Sequence, residues 1–205
     1  MTRLLPVAAI VFALCAPVYA QKQQVAKFPK GLKWEMMSHV AFNYPPFPES
    51  ATSPELRKTA EHIWAKELDA LPTDTFPKAG GGTRTGKYPA FILMSSNESD
   101  NIKHVFSIMD AGPYDKCEHD HSSEYSVCVM RMVTEDKKTG KTQQRDYKNF
   151  CFLHLLSDDG ASEDENTKNN HTEIAFDKKS KTVYFRIVQD GKVVPACNRQ
   201  VSLPQ

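Results

Sequence analysis

The chain has 205 residues, with 26 lysines and arginines against 25 aspartates and glutamates and a formal net charge of +1. This balance, without any block of basic residues, removes the attraction that draws proteins to nucleic acids or anionic membranes, so neither partner is expected. The length corresponds to about one domain, which is enough to bury a core of its own.

The N-terminus has the pattern of an export signal. Arg3 provides a positive start, residues 4–14 are apolar apart from Pro6, and Val18-Tyr19-Ala20 fits a cleavage site. We predict a signal peptide over residues 1–20 and a mature chain that begins at Gln21, with 25 basic and 25 acidic residues because only Arg3 is lost. The protein is therefore expected to be exported, periplasmic in a Gram-negative bacterium and otherwise secreted. No apolar run approaches the roughly 20 residues of a membrane span, so no integral membrane segment is expected.

Residues 21–52 are predicted to form an extended lead-in, because the run from Phe42 to Pro48 contains three prolines that remove backbone donors and keep their neighbours extended. A single domain is predicted over residues 53–205. It opens with an amphipathic helix at about Pro54–Ala70, where Ser53 is the N-cap and Pro54 the first helical residue. The apolar residues that recur at helical spacing are Leu56, Ala60, Ile63, Trp64, Leu68 and Leu71. We expect Trp64 to anchor the helix on the core and His62 to face solvent.

After the glycines at 80–82 the pattern changes to short β-rich runs separated by turn residues. The predicted strands are Tyr88–Ser95, Ile102–Asp110, Tyr125–Thr134, Arg145–Leu156, Thr172–Asp177, Lys181–Gln189 and Lys192–Ala196. Asp190-Gly191 suits a two-residue hairpin turn, and a second such turn is predicted at Thr139-Gly140. The predicted fold class is α+β: a curved antiparallel sheet of about six or seven strands in a meander, with the one N-terminal amphipathic helix packed on it.

Four cysteines remain after the predicted cleavage, and export favours their pairing in disulfides. A two-residue turn at Thr139-Gly140 would place Cys128 opposite Cys151. That register favours Cys128–Cys151 with Cys117–Cys197. The alternative is Cys117–Cys128 with Cys151–Cys197.

The run Cys117-Glu118-His119-Asp120-His121 contains the densest set of metal-capable side chains in the sequence. We predict that Asp115, Glu118, His119, Asp120 and His121 form part of a partner-binding rim. Metal binding by His119 and His121 is the alternative, with Met130 and Met132 as soft donors for cuprous copper. The methionines are expected to fill the core instead, and a disulfide at Cys117 would remove its thiolate.

The sequence lacks the familiar catalytic and cofactor motifs, so no cofactor and no catalytic residue is assigned. The first hypothesis is a non-enzymatic exported binding protein of the inhibitor or immunity type, with another protein as partner. A copper- or zinc-handling protein and a hydrolase with an unrecognised site, for which His104, Asp110 and His154 could converge, are the alternatives. Residues 157–170 are expected to be an exposed acidic loop, and Asn97 and Asn170 lie in glycosylation acceptor sequences.

Overall fold

A computed structural model describes residues 26–43, 53–77, 82–99, 101–119, 125–153 and 168–204. It contains one α-helix, α1 (Pro54–Ala70), and thirteen strands within those residues. The strands are β1 (Trp34–Met36), β2 (Ser38–Phe42), β3 (Thr73–Pro77), β4 (Thr83–Lys87), β5 (Ala90–Ser99), β6 (Ile102–Asp110), β7 (Glu118–His119), β8 (Tyr125–Asp136), β9 (Lys141–Leu153), β10 (His171–Asp177), β11 (Thr182–Gln189), β12 (Lys192–Val193) and β13 (Arg199–Ser202). The predicted signal peptide, Asp120, His121 and His154 lie outside the described residues.

The strands form two open antiparallel sheets and a separate hairpin, so the prediction of one meandering sheet is wrong in its topology. A five-stranded sheet has the order β1-β10-β11-β12, with β13 also paired to β11. A six-stranded sheet has the order β2-β5-β6-β8-β7, with β9 also paired to β8. Strands β3 and β4 form the hairpin. Turn residues identify which strands are joined in a hairpin, but they carry no information on which hairpins share a sheet.

The two larger sheets pack face to face over an aromatic core. Phe106 and Phe150 of the six-stranded sheet contact Phe185 of the five-stranded sheet, with ring centroids 5.7 Å and 5.0 Å apart, and all three are buried. Met130 and Met132 belong to this core, at 0% and 1% exposure, so the expectation that they fill the core is confirmed. Buried aromatic area of this kind is the main source of stability in a two-layer β structure.

Helix α1 covers the opposite face of the six-stranded sheet, so the layers are sheet, sheet and helix. Its bounds match the prediction, and the hydroxyl of Ser53 accepts a hydrogen bond from the backbone N–H of Leu56 at 3.1 Å. Trp64, at 4% exposure, packs on this face of the sheet, whereas His62 is exposed, as the helical spacing predicted. The backbone of Leu71 is extended and Pro72 follows, which ends the helix.

The two predicted turns have different outcomes. Asp190 and Gly191 both have positive φ, and Gln189 pairs with Lys192, so the two-residue turn is confirmed. The turn at Thr139-Gly140 is wrong, because Asp136 pairs with Lys141 and four residues lie between them. The carboxylate of Asp136 accepts the backbone N–H groups of Lys138 and Thr139 and so favours this longer loop.

The disulfides are Cys117–Cys128 and Cys151–Cys197, so the favoured pairing is wrong and the alternative is the one present. The longer turn and a β-bulge between Cys128 and Met130 change the register of β8 and β9. Cys128 consequently faces Phe150, while Cys151 lies one residue further and projects from the other side of the sheet. Asn149, with φ of 68°, lies at this bulge.

Two strands arise from the predicted lead-in. Strand β1 pairs with β10 of the five-stranded sheet, and β2 pairs with β5 of the six-stranded sheet. The chain crosses between the sheets at Met37, whose N–H donates to the carbonyl of Thr172 at 2.9 Å. In the described part of the chain, no helix is both long and apolar enough to cross a membrane.

Candidate partner-binding site

The candidate site is a loop that interrupts the edge of the six-stranded sheet. Strand β9 accompanies β8 along one side, and β6 accompanies it along the other as far as the pair Ile108–Met130. The short strand β7 then resumes beside β8, with Glu118 opposite Val127 and His119 opposite Ser126. Residues 111–117, here named the β6–β7 loop, leave the sheet between these two pairings and project from its edge.

Asp115 fixes the path of the β6–β7 loop from within. Its carboxylate accepts hydrogen bonds from the backbone N–H groups of Ala111 and Cys117, the latter at 2.6 Å. The side chain is only 3% exposed. Burial raises the pKa of Asp115, although the two backbone donors oppose that shift. The Cys117–Cys128 disulfide ties the end of the loop to β8.

His119 closes the base of the same loop. Its Nε2 lies 2.8 Å from the carbonyl oxygen of Gly112, which can only accept, so Nε2 carries the proton. In the neutral ring Nδ1 therefore accepts from the hydroxyl of Ser126 at 2.7 Å. The carboxylates of Asp110 and Asp115 lie 3.8 Å and 3.5 Å from the ring nitrogens. The imidazole thus connects β6, the β6–β7 loop and β8.

Sequence reasoning did not identify Ser126. Only the register of β7 against β8 reveals that it faces His119, and a two-residue strand gives no periodic pattern from which to read a register. A hydroxyl, an imidazole and a carboxylate are the parts of a nucleophilic site. Ser126 is only 1% exposed, and its hydroxyl hydrogen-bonds to the histidine ring.

Three aromatic rings adjoin the β6–β7 loop, and we call Phe76, Tyr88 and Tyr114 the aromatic ladder. Tyr88 lies edge-on to Tyr114, with ring centroids 4.7 Å apart, and its centroid is 5.7 Å from that of Phe76. Tyr114 is 48% exposed. The guanidinium of Arg84 lies over the Phe76 ring at 5.0 Å. The ladder therefore presents aromatic area and a cation on one part of the surface.

Gly112 allows the loop to approach the aromatic ladder. Its φ is +57°, and a Cβ at this position would lie 2.9 Å from the hydroxyl oxygen of Tyr88. Both the backbone conformation and the lack of space therefore favour glycine here. The contact keeps Tyr88 directly beneath the 3₁₀ turn Gly112–Tyr114 that carries the exposed tyrosine.

The predicted rim residues have different environments. Glu118 is exposed and His119 partly exposed, while the buried carboxylate of Asp115 shapes the loop. The hydrolase hypothesis required His104 and Asp110 to converge, but both lie on β6, six residues apart, which is roughly 20 Å along a strand. The structure does not bring these two together.

A group of possible cation ligands lies within this site. Single ligand atoms of Asp110, Asp115, Cys117 and His119 all lie within 4.8 Å of one another. The sulfur of Cys117 is in a disulfide, so it supplies no thiolate. Two carboxylates and an imidazole remain, a set that would suit zinc or copper(II) more than cuprous copper.

Comparison of the chain with protein-family models, curated proteins and solved structures gave no match. The assignment of function therefore rests on this geometry.

Proposed function

We propose that the protein is an exported, non-enzymatic binding protein that acts on another protein, as inhibitors and immunity-type proteins do. The contact surface is the β6–β7 loop together with the aromatic ladder. The observation that supports this proposal is the half-exposed ring of Tyr114, held against Tyr88 on a loop with a braced path.

The chemistry of the surface is that of a protein interface. Tyrosine and arginine are over-represented among the residues that contribute most to binding, because they bury large areas and retain a polar group. Tyr114, Tyr88 and Arg84 supply both on adjacent elements. Exposed Lys116 and Glu118 lie on the same loop and β7, where they suit a polar rim.

The bracing of the loop lowers the entropic cost of binding. A loop that must order on association loses about 0.5–1.5 kcal/mol for each immobilised side chain. Here Asp115, His119 and the Cys117–Cys128 disulfide hold residues 111–117 before any partner arrives. A rigid exposed tyrosine can then contribute its contact area to affinity directly.

The test is a capture experiment with the mature protein as bait, using the native extracellular or periplasmic fraction. Tyr114→Ala should abolish capture of the partner without changing the denaturation midpoint. Val193→Ala is the matched control, because Val193 is an exposed hydrophobic residue at 39% but lies in β12 of the other sheet. Equal capture by wild type and Tyr114→Ala would refute this assignment of the surface.

A second candidate function, cation binding, is favoured by the proximity of Asp110, Asp115 and His119. Calorimetric titration with zinc and with copper(II) should then give a stoichiometric site that His119→Ala removes. His62→Ala, which changes an exposed histidine in α1, should leave uptake unchanged. Absence of heat with the wild-type protein would refute this candidate and leave the partner-binding proposal unaffected.

A further inference from the structure

Strand β1 is one edge of the five-stranded sheet, and among the described strands it pairs with β10 alone. The N–H of Met37 donates to the carbonyl of Thr172 at 2.9 Å, in the register of the β1–β10 ladder. Because alternate residues of an antiparallel strand bond to the same neighbour, the backbone groups of Glu35 point to β10. Those of Trp34 and Met36 point away from it. This outer edge therefore presents backbone donors and acceptors to a further strand.

The two faces of this edge carry different side chains. Trp34 and Met36 lie on one face, since side chains alternate along a strand, and Met36 is 54% exposed. Lys33 and Glu35 lie on the other face, where Lys33 Nζ is 3.6 Å from Glu35 Oε1. Both charged side chains are more than half exposed. The edge thus combines an apolar face with a face that carries one positive and one negative charge.

The ring of Trp34 is held in place within the single chain. It lies edge-on to Phe28, with centroids 4.9 Å apart, and the guanidinium of Arg186 lies 4.0 Å from its centroid. Arg186 is in turn paired with the carboxylate of Glu173. A large aromatic side chain with a fixed conformation loses little entropy on association, and such residues are common at the centre of interfaces.

We propose that β1 is a self-association site, at which a second copy of this chain adds its own β1 in antiparallel orientation across a two-fold axis. The five-stranded sheets of the two copies then form one continuous sheet. This inference does not depend on the proposed function, because β1 belongs to the five-stranded sheet and the β6–β7 loop adjoins the six-stranded sheet. The charges and the apolar residues of the edge are the reason that a second copy fits it.

The charges select the register of the pairing. With Glu35 on the axis two carboxylates would face each other, and with Lys33 on the axis two ammonium groups would. With Trp34 on the axis, Lys33 of each copy faces Glu35 of the other. These are pairs without backbone hydrogen bonds, in which Cα atoms lie about 4.5 Å apart and side chains are closest. In the same register Trp34 faces its own copy, and Leu32 lies opposite Met36. The edge is therefore complementary to itself, as a two-fold interface requires.

Two features set the strength of this association. Lysine on an edge strand usually deters pairing with another chain, but here Lys33 is opposed by the Glu35 of the other copy. Strand β1 has three residues, so the two strands exchange few backbone hydrogen bonds. We therefore expect a reversible dimer whose population rises with protein concentration.

The test is sedimentation velocity of the full mature chain from micromolar to millimolar concentration. Lys33→Glu should raise the dissociation constant of the dimer by at least about tenfold, because two carboxylates then face each other at both charged pairs. Lys33→Glu combined with Glu35→Lys should restore the wild-type dimer, since each pair regains opposite charges. Lys192→Glu is the matched control, because it makes the same charge change in β12, at the other end of the strand order of the same sheet.

Hydrogen exchange resolved by NMR shows whether this edge is the one used. The N–H groups of Trp34 and Met36 should gain protection as the concentration rises, whereas that of Glu35, which is bonded to β10, should be protected throughout.

A wild-type protein that is monomeric at every concentration would overturn the proposal. A dimer that Lys33→Glu leaves unchanged, or that the double substitution does not restore, would also overturn it. If a variant does not fold, the wild-type exchange decides the matter: a dimer without added protection at Trp34 and Met36 forms elsewhere and contradicts the proposal.

Discussion

Trp64 combines three interactions at one position. The indole is 4% exposed, its Nε1–H donates to the hydroxyl of Ser107 at 2.6 Å, and the guanidinium of Arg131 lies 4.2 Å from the ring centroid. Each interaction depends on the ring remaining between α1 and the sheet. A single side chain therefore fixes both the position and the rotation of the helix.

We expect Trp64→Ala to lower the free energy of unfolding by about 3–5 kcal/mol, as large aromatic truncations in cores do. Equilibrium denaturation in urea measures this change. His62→Ala, an exposed position on the same helix, should change stability by less than about 0.5 kcal/mol. A Trp64→Ala protein with the wild-type midpoint would mean that the helix does not depend on this contact.

Gly112 provides a second prediction at the residue scale. In Gly112→Ala the new methyl group would clash with the Tyr88 hydroxyl, and the backbone would keep a positive φ. The free energy of unfolding should therefore fall by more than about 1–2 kcal/mol. Gly140→Ala is the control, because its φ is +66° but no atom lies within 4 Å of the added Cβ. If the two variants lose equal stability in thermal or urea denaturation, the contact with Tyr88 has no energetic weight.

At the scale of the element, α1 is attached to β8 and β9 through Arg131. The guanidinium donates to the carboxylates of Glu67 and Asp146 and to the carbonyl oxygen of Ile63 at 3.0 Å. The backbone departs from helical geometry at Trp64, the residue that follows this carbonyl. Burial by itself would raise the pKa of Glu67, but the hydrogen bonds and the charge of Arg131, together with a backbone hydrogen bond, outweigh it and lower that pKa.

Removal of the Arg131 guanidinium should weaken the attachment of α1 to the six-stranded sheet and so lower the stability of the fold. Arg131→Met keeps the aliphatic volume but leaves the partly exposed carboxylates of Glu67 and Asp146 without their shared partner. We expect the free energy of unfolding to fall by about 1.5–3 kcal/mol near neutral pH. Because the folded pKa of Glu67 is lowered, the stabilisation is present above its ordinary pKa and is lost as the pH falls through the folded value. Urea denaturation at neutral and acid pH should show the two proteins converging in acid. A constant difference would contradict the role of the ion pair.

At the scale of the whole molecule, the two disulfides constrain different parts of the fold. Cys117–Cys128 closes a separation of 11 residues within the six-stranded sheet and its loop. Cys151–Cys197 closes a separation of 46 residues and joins β9 to the 3₁₀ turn Pro195–Cys197, beside the five-stranded sheet. The first shapes the candidate site, and the second holds the sheets together.

Loop-closure entropy predicts that the two disulfides stabilise the folded protein by different amounts. Replacement of Cys151 and Cys197 by alanine should cost about 4 kcal/mol, and the same change at Cys117 and Cys128 about 3 kcal/mol. Only the second double variant should lose partner capture, because it frees the end of the β6–β7 loop. Chemical denaturation and the capture experiment measure the two effects. Loss of capture in the Cys151/Cys197 variant, at a temperature where it is folded, would contradict this division.

The features predicted correctly from the sequence are those set by neighbouring residues. Helix α1 follows from its N-cap and its apolar spacing, and the Asp190-Gly191 turn from the conformations that these residues accept. The disulfide pairing depended on a bulge at Asn149, and the Ser126–His119 contact depended on a remote register. Neither the bulge nor this register produces a periodic pattern in the sequence. Topology was missed for the same reason, since β1 and β2 belong to different sheets.

The pairing of β1 with β10 constrains the order in which the protein can assemble during synthesis. Trp34 emerges from the ribosome long before Ala175, its partner across the ladder. The hairpins β5–β6 and β8–β9 can form as soon as they are made, whereas β1 must wait for the C-terminal third of the chain. Pulse-labelled hydrogen exchange during refolding should accordingly find these hairpins protected before β1. Until that late step Trp34–Met36 has no strand to pair with in the five-stranded sheet.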